Sequence, residues 1–227
     1  MSELHLVRHG QASAQAEDYD RLSPLGGEQS RALGNYWAAR GLRFDRVLVG
    51  PRRRHRQTLE AVAAAYRSRG LPWPEAEPLA ALDEHSGPEL FEHFRERLMP
   101  AASGDDSEKL RRYLRAYQDA SRQWARGELE TPPHLESWPA FRRRVADGLA
   151  EIAEDGTSGA RVAAFTSGGA VAAAAGHALE LGDEKLIELS WRVRNAAVTE
   201  LLFSRRGFAL HTFNATPHLE PGFLTYI

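Results

Sequence analysis

The chain has 227 residues, a formal net charge of −2 and no cysteine. That length suits one domain with room for an insertion, and such a chain can bury a core without cross-links. The absence of cysteine rules out disulfide frameworks, thiolate zinc sites and cysteine nucleophiles, and it fits a reducing cytoplasm. The near-zero charge gives no global field for nucleic acid or a membrane surface. No basic segment followed by a long apolar stretch stands at the N-terminus, so no signal peptide is expected, and the longest apolar run is broken by Gly168, Gly169 and His177. The expectation is a cytoplasmic globular protein that binds neither nucleic acid nor membrane.

In chain order, residues 3–8 are short and apolar enough for a strand. Ser23 and Pro24 then open a helix with apolar residues at Leu25, Leu33, Tyr36 and Trp37, ended by Gly41. Residues 44–49 read as a second strand, and PRRRHRQTLEAVAAAY as a loop entering a helix. Residues 71–78 carry three prolines and read as a connector, with PLAALDE as a weak third strand. Residues 86–137 are rich in Arg and Glu and read as amphipathic helices inserted over the core. Ser137 caps the next expected helix, WPAFRRRVADGLAEIAE. ARVAAFTS is a buried strand, GGAVAAAAGHALEL a helix, and residues 197–214 a hairpin.

Alternating strands and helices predict an α/β three-layer sandwich, with a mostly parallel sheet, an antiparallel edge and a helical insertion at about 86–137. Ligands of such sheets sit at the carboxyl ends of strands. Three polar groups fall there: Arg8-His9-Gly10, Glu84, and Thr166-Ser167-Gly168-Gly169. A neutral imidazole can act as a nucleophile, and a guanidinium fork matches phosphate oxygens. Gly10 permits a tight turn and close approach. Most of the cluster Arg52, Arg53, Arg54 and Arg56 must face solvent, but one member aimed inward would bind an anion beside a helix N-terminus. A carboxyl raised in pKa by burial can serve as a general acid; Glu84, Asp83 and His85 compete for that role. Ser167 with the following amides could hold an oxyanion, although an ordinary helix N-cap is the plainer reading.

Together these segments resemble the histidine phosphatase superfamily, also called phosphoglycerate mutase-like. LVRHGQAS resembles its nucleophile motif. Leu22, Ser23, Gly26 and Gln29 match its L-[ST]-x-x-G-x-x-Q segment, and PRRRHRQT resembles R-A-x-Q-T, which through Gln57 and Thr58 selects Arg54. LDEHSG resembles the acidic motif and selects Glu84. NAAVTELLF and the terminal NATPHL resemble family strands. The resemblance implies attack by His9 on phosphorus, neutralisation by Arg8 and Arg54, and proton transfer by Glu84, with no metal or cofactor. Gln11 and Ser13 would line the same pocket with Gly10, Ser167 and Gly168, and 86–137 would form a substrate lid. The family usually carries a second histidine in a [ST]-H-G-G turn, where this chain has Ser167. A serine hydroxyl can donate a hydrogen bond but cannot become cationic. His177, some ten residues further along a helix, is too distant to replace that histidine; His85, Arg192 and Arg194 are the other candidates, and the remaining histidines read as structural or surface residues.

The resemblance therefore implies a phosphomonoester hydrolase acting on a small phosphorylated molecule or a phosphoprotein. A phosphomutase and a catalytically silent phospho-ligand sensor are the alternatives. The sequence names neither the substrate nor the oligomeric state.

Overall fold

A computed structural model describes residues 1–13, 20–98, 105–154 and 158–226. Six strands form one sheet: β1 (Ser2–Arg8), β2 (Arg46–Val49), β3 (Ala76–Pro78), β4 (Arg161–Thr166), β5 (Val198–Ser204) and β6 (Gly207–Ala215), in the order β3-β2-β4-β1-β5-β6. The first four strands pair in parallel, and β5 is antiparallel to both β1 and β6. Among the described residues seven α-helices accompany them: α1 (Pro24–Ala39), α2 (Arg53–Arg67), α3 (Gly87–Leu98), α4 (Asp106–Ala125), α5 (Trp138–Glu154), α6 (Gly168–Ala178) and α7 (Asp183–Ser190). Among the described residues no helix is long and apolar enough to cross a membrane.

Alternation along the strands sorts side chains into two cores. Leu4, Leu6, Leu48, Val162 and Ala164 face α5, α6 and α7, where Phe141, Leu149, Val171 and Ile187 pack. Val7, Val47, Val49, Ala163 and Phe165 face α1 and α2, where Leu33, Trp37, Val62 and Tyr66 pack. Both faces of β2 and β4 are thus covered, which explains their apolar runs VLV and VAAF. Ser23 caps α1 as expected, its Oγ accepting from the Gly26 amide at 3.0 Å. α3 and α4 fall within 86–137 and bring Leu90, Phe91, Ala120 and Trp124 into the first core.

The third strand lies earlier than the sequence suggests. Ala76, Glu77 and Pro78 pair with β2, inside the expected connector. PLAALDE instead forms a 3-10 turn at Ala80–Leu82, closed by the Leu82 amide on the Leu79 carbonyl. Beyond Pro78 one more bond to β2 forms, from the Leu79 amide to the Val49 carbonyl at 2.9 Å, and the chain then turns. The expected helix after Gly168 ends at Ala178, and α7 follows as a separate element that the sequence reading omits.

The Glu3–Arg161 ion pair (2.6 Å) joins the facing residues that open β1 and β4. The Arg161 hydrogen bond holds the Glu3 carboxyl down at about 2, against an ordinary value of 4.5. Because the folded value is depressed, the stabilisation is complete above pH 4.5 and is lost as pH falls toward 2. The Glu3 side chain is 39% exposed, so solvent screening limits the contribution to about 1 kcal/mol or less. Urea unfolding of wild type and Glu3→Gln should show a stability gap at neutral pH that closes below pH 4.5. A gap that stays constant with pH would contradict this account.

Candidate active site

The site stands at the carboxyl ends of β1 and β4. Arg8 pairs with Thr166 as the last rung of that parallel ladder, and the His9 amide donates to the Thr166 carbonyl at 2.8 Å. The next residues, His9 and Ser167, therefore leave the sheet side by side. His9 is 5% exposed. Its Nδ1 lies 2.7 Å from the Gly10 carbonyl. A carbonyl only accepts, so the proton sits on Nδ1 and the Nε2 lone pair is left for chemistry. Burial, then Arg8, Arg54 and His55, push the ring well below its usual value, outweighing the Gly10 contact. His9 is therefore a neutral imidazole.

Of the four clustered arginines, one turns inward. Arg54 is 6% exposed, whereas Arg53 and Arg56 face solvent and Arg52 pairs with Asp83. Arg54 Nη1 donates to Asp20 at 2.8 Å, and Nη2 donates to Ser167 Oγ at 3.3 Å. Asp20 also accepts from the Arg53 amide at 2.8 Å. The N-terminus of α2, expected to help hold a ligand anion, thus engages one of the chain's own carboxylates.

Three candidates competed for the acidic role, and their surroundings differ. Asp83 is bound by Arg52. His85 accepts from the Gly87 amide through Nδ1 and lies among Trp124, Trp138 and Phe141. Glu84 accepts from the His85 amide at 3.0 Å and the Gly169 amide at 3.3 Å. A side chain at Gly169 would begin 2.1 Å from Glu84 Oε1, so the glycine is what admits the carboxylate. The expectation of a raised pKa is reversed. Burial pushes Glu84 up, but His85, Arg54 and the two amides outweigh it and hold the carboxyl below its usual range.

Gly10 meets a neighbour of a different kind from the one expected. A Cβ there would strike the Gly26 carbonyl at 2.3 Å, so the close approach is to α1. The Gly10 amide donates to Thr58 Oγ1 at 3.1 Å, which ties the loop to α2. The Gln11 amide donates to Gln29 Oε1 and its Oε1 accepts from Ser23 Oγ, while the Ser13 amide pairs with the Arg21 carbonyl. Arg8 places Nη1 on the Val193 and Tyr226 carbonyls, with its Nε close to Gly168.

Two features escape the sequence reading. The first is the terminal segment. Gln29 Nε2 donates to the Phe223 carbonyl and to Thr225 Oγ1, and Thr225 Oγ1 donates to Asn195 Oδ1. Asn195 Nδ2 in turn donates to the His9 carbonyl at 3.3 Å. The second is His55, read from sequence as structural or surface. It is fully buried, its ring centroid is 5.8 Å from that of His9, and its Nε2 is 2.6 Å from Ser167 Oγ. Burial first, and then Arg54 and Arg52, lower its pKa well below the usual value. Ser167 has the backbone of an N-cap, but its side chain caps nothing; it turns to His55 and Arg54 instead. The other substitutes fare worse. His177 is exposed, and Arg194 Nε donates to the Tyr226 hydroxyl.

A buried neutral imidazole between guanidinium groups, with a carboxylate on a facing loop, marks an α/β protein whose site opens at its strand ends. The chain belongs to the histidine phosphatase superfamily (branch 1), whose family model matches residues 4–216. It is 32% identical over 75 residues to a broad-specificity phosphatase of Saccharomyces cerevisiae, covering 30% of this chain. That match spans about a third (33%) of the yeast protein. Among solved structures, phosphoserine phosphatase from Entamoeba histolytica in complex with 3-phosphoglyceric acid superposes with a TM-score of 0.66 at 19% identity, covering 97% of this chain and 100% of that one. The mycobacterial glucosyl-3-phosphoglycerate phosphatase gives 0.62 at 19% identity, covering 94% and 99%. At such identities the superpositions speak for the fold.

The protonation state of His9 is measurable directly. In nitrogen-15 spectra of the ring, His9 should be neutral with its proton on Nδ1, taking a second proton only well below pH 6.5. Titration at or above 6.5 would contradict the electrostatic picture.

Proposed function

We propose that the protein is a phosphomonoester hydrolase that works through a phosphohistidine at His9. The observation that carries this reading is the His9 ring: neutral, buried, proton anchored on Nδ1, lone pair free on Nε2. Nε2 attacks phosphorus, the ester P–O bond breaks, and the phosphoryl group rests on the imidazole. Water then attacks the phosphorus, releasing phosphate and regenerating His9. Charge builds on the three equatorial oxygens during both transfers. Arg8 and Arg54 supply the cations there; Arg54 is steadied by Asp20 through one amino group and directs the other toward Ser167.

Glu84 handles the proton. In the free protein it is held ionised, which suits it to remove a proton from water in the second step. For the first step it must carry a proton. An arriving phosphate dianion is a like charge and raises the carboxyl's pKa, so ligand binding itself favours the protonated acid. The reaction as derived draws only on residues of this chain and calls on no cofactor or metal. In this reading Gln11 and Ser13 of the first loop, with Gly10 and Gly168, bind the ligand. On the same reading α3 and α4 serve as the lid expected of 86–137 and set specificity, the substrate being a small phosphorylated molecule or a phosphoprotein; residues 99–104 of that segment lie outside the described residues. The broad-specificity name of the yeast relative agrees with a phosphatase of this kind.

Hydrolysis of an aryl phosphate tests the reading. Wild type should turn over, and His9→Ala should not, while retaining its circular dichroism. Rapid quenching should trap a base-stable, acid-labile phosphoryl label on wild type alone. Glu84→Gln should lower kcat by about a hundredfold or more. Tight phosphate binding with neither turnover nor label would instead identify a silent sensor.

A further inference from the structure

His55 and Ser167 form a contact that the proposed mechanism leaves unused. The separation of 2.6 Å is that of a strong hydrogen bond between an imidazole nitrogen and a hydroxyl. Both residues are 0% exposed, so water does not compete for either group. Ser167 stands beside His9 through the β1–β4 register, and it stands at the N-cap of α6 without capping it. Its hydroxyl is directed instead into a triangle with His55 and Arg54.

A hydroxyl has one proton to give and two lone pairs. Arg54 Nη2 can only donate, so it occupies one lone pair. The other lone pair and the proton are divided between His55 and whatever occupies the pocket. A phosphoryl oxygen only accepts, so beside one the Ser167 proton must point at it. His55 must then donate through Nε2. The Gly50 backbone lies against Nδ1 and raises the ring's pKa, but Nδ1 makes no hydrogen bond there of the geometry that would lock the proton on it, so Nε2 can carry the proton.

We propose that His55 is a positioning residue for phosphoryl transfer: by donating to Ser167 Oγ it aims the Ser167 hydroxyl at the phosphoryl oxygens. The inference rests on the phosphohistidine reading above. It gives the buried imidazole a function one residue beyond Arg54 on the same helix turn. One α2 turn thus supplies both a cation and the orientation of a neutral donor. The hydroxyl is short and fixed, whereas a histidine in its place would reach the ligand itself. The pair His55–Ser167 divides that task, the serine touching the ligand and the histidine setting its direction.

A double-mutant cycle on the full chain tests this, with kcat and KM for an aryl phosphate and the dissociation constant of orthovanadate measured for each variant. Ser167→Ala should lower kcat by about a hundredfold, as loss of one donor to a developing charge does. His55→Ala should lower kcat by at least about tenfold with little change in KM, because the lost contact matters most in the transition state. The double variant should be no slower than Ser167→Ala, since residues acting through one another do not add. Vanadate affinity should fall in parallel. His55→Gln, which keeps an amide donor, should recover part of the loss; it also covers the case that His55→Ala fails to fold, which circular dichroism would reveal.

Independent, multiplying losses would overturn the proposal, as would an unchanged kcat in folded His55→Ala. Wild-type turnover and vanadate binding alongside either result would leave the phosphatase reading standing and remove only the role of His55. No turnover of aryl phosphates and no vanadate binding by wild type would sink both.

Discussion

The parallel pairing of β1 with β4 is the constraint from which the site follows. Side chains alternate along a strand, so a slip of one residue would invert every side chain of the pair. The buried Leu4 and Leu6 on one face and Val7 on the other forbid that slip. With the register fixed, Arg8 faces Thr166, and the residues just beyond them, His9 and Ser167, become neighbours. Core packing thus sets the geometry of the chemistry without any of its residues touching a ligand.

Electrostatics then assigns roles to groups that the fold only brings close. Burial, and then two guanidinium groups, favour the neutral form of His9, the form a nucleophilic imidazole needs. Against the burial that raises it, His85, one of those guanidinium groups and two backbone amides favour the ionised form of Glu84. Arg54 thus acts on both groups in the same direction, toward a neutral His9 and an ionised Glu84. Only an incoming anion alters that balance. A site built this way is charged for its ligand while empty, and Asp20 keeps the buried Arg54 from being an isolated cation.

Much of this was legible in the sequence because the signals were local. The strand of residues 3–8, the Ser23 cap and the 138–154 helix depend on period and capping, which neighbours in sequence determine. The inward turn of Arg54 was legible through Gln57 and Thr58, and the structure gives the reason: Thr58 Oγ1 binds both the Gly10 amide and the Arg54 carbonyl. β3 was displaced because three residues beside prolines carry too little periodicity to be placed. His55 was missed because its partner lies 112 residues away, and no spacing rule spans that distance. The lowered pKa of Glu84 was equally invisible, since it arises from a balance of burial, the neighbouring His85, a guanidinium and amides from separate elements.

The terminal segment carries one more consequence. Arg8 and Tyr226, joined by a hydrogen bond, are 218 residues apart. Thr225, through Asn195, supports the loop that carries His9, and Phe223 and Thr225 both hold Gln29. Contacts of such separation close large loops and form late in folding. His9 and the segment that encloses it lie far apart in the chain, so its surroundings are complete only when residues 223–226 have packed onto the first loop and α1. A chain that has not closed this segment keeps the histidine but lacks the hydrogen bonds that hold its loop in place.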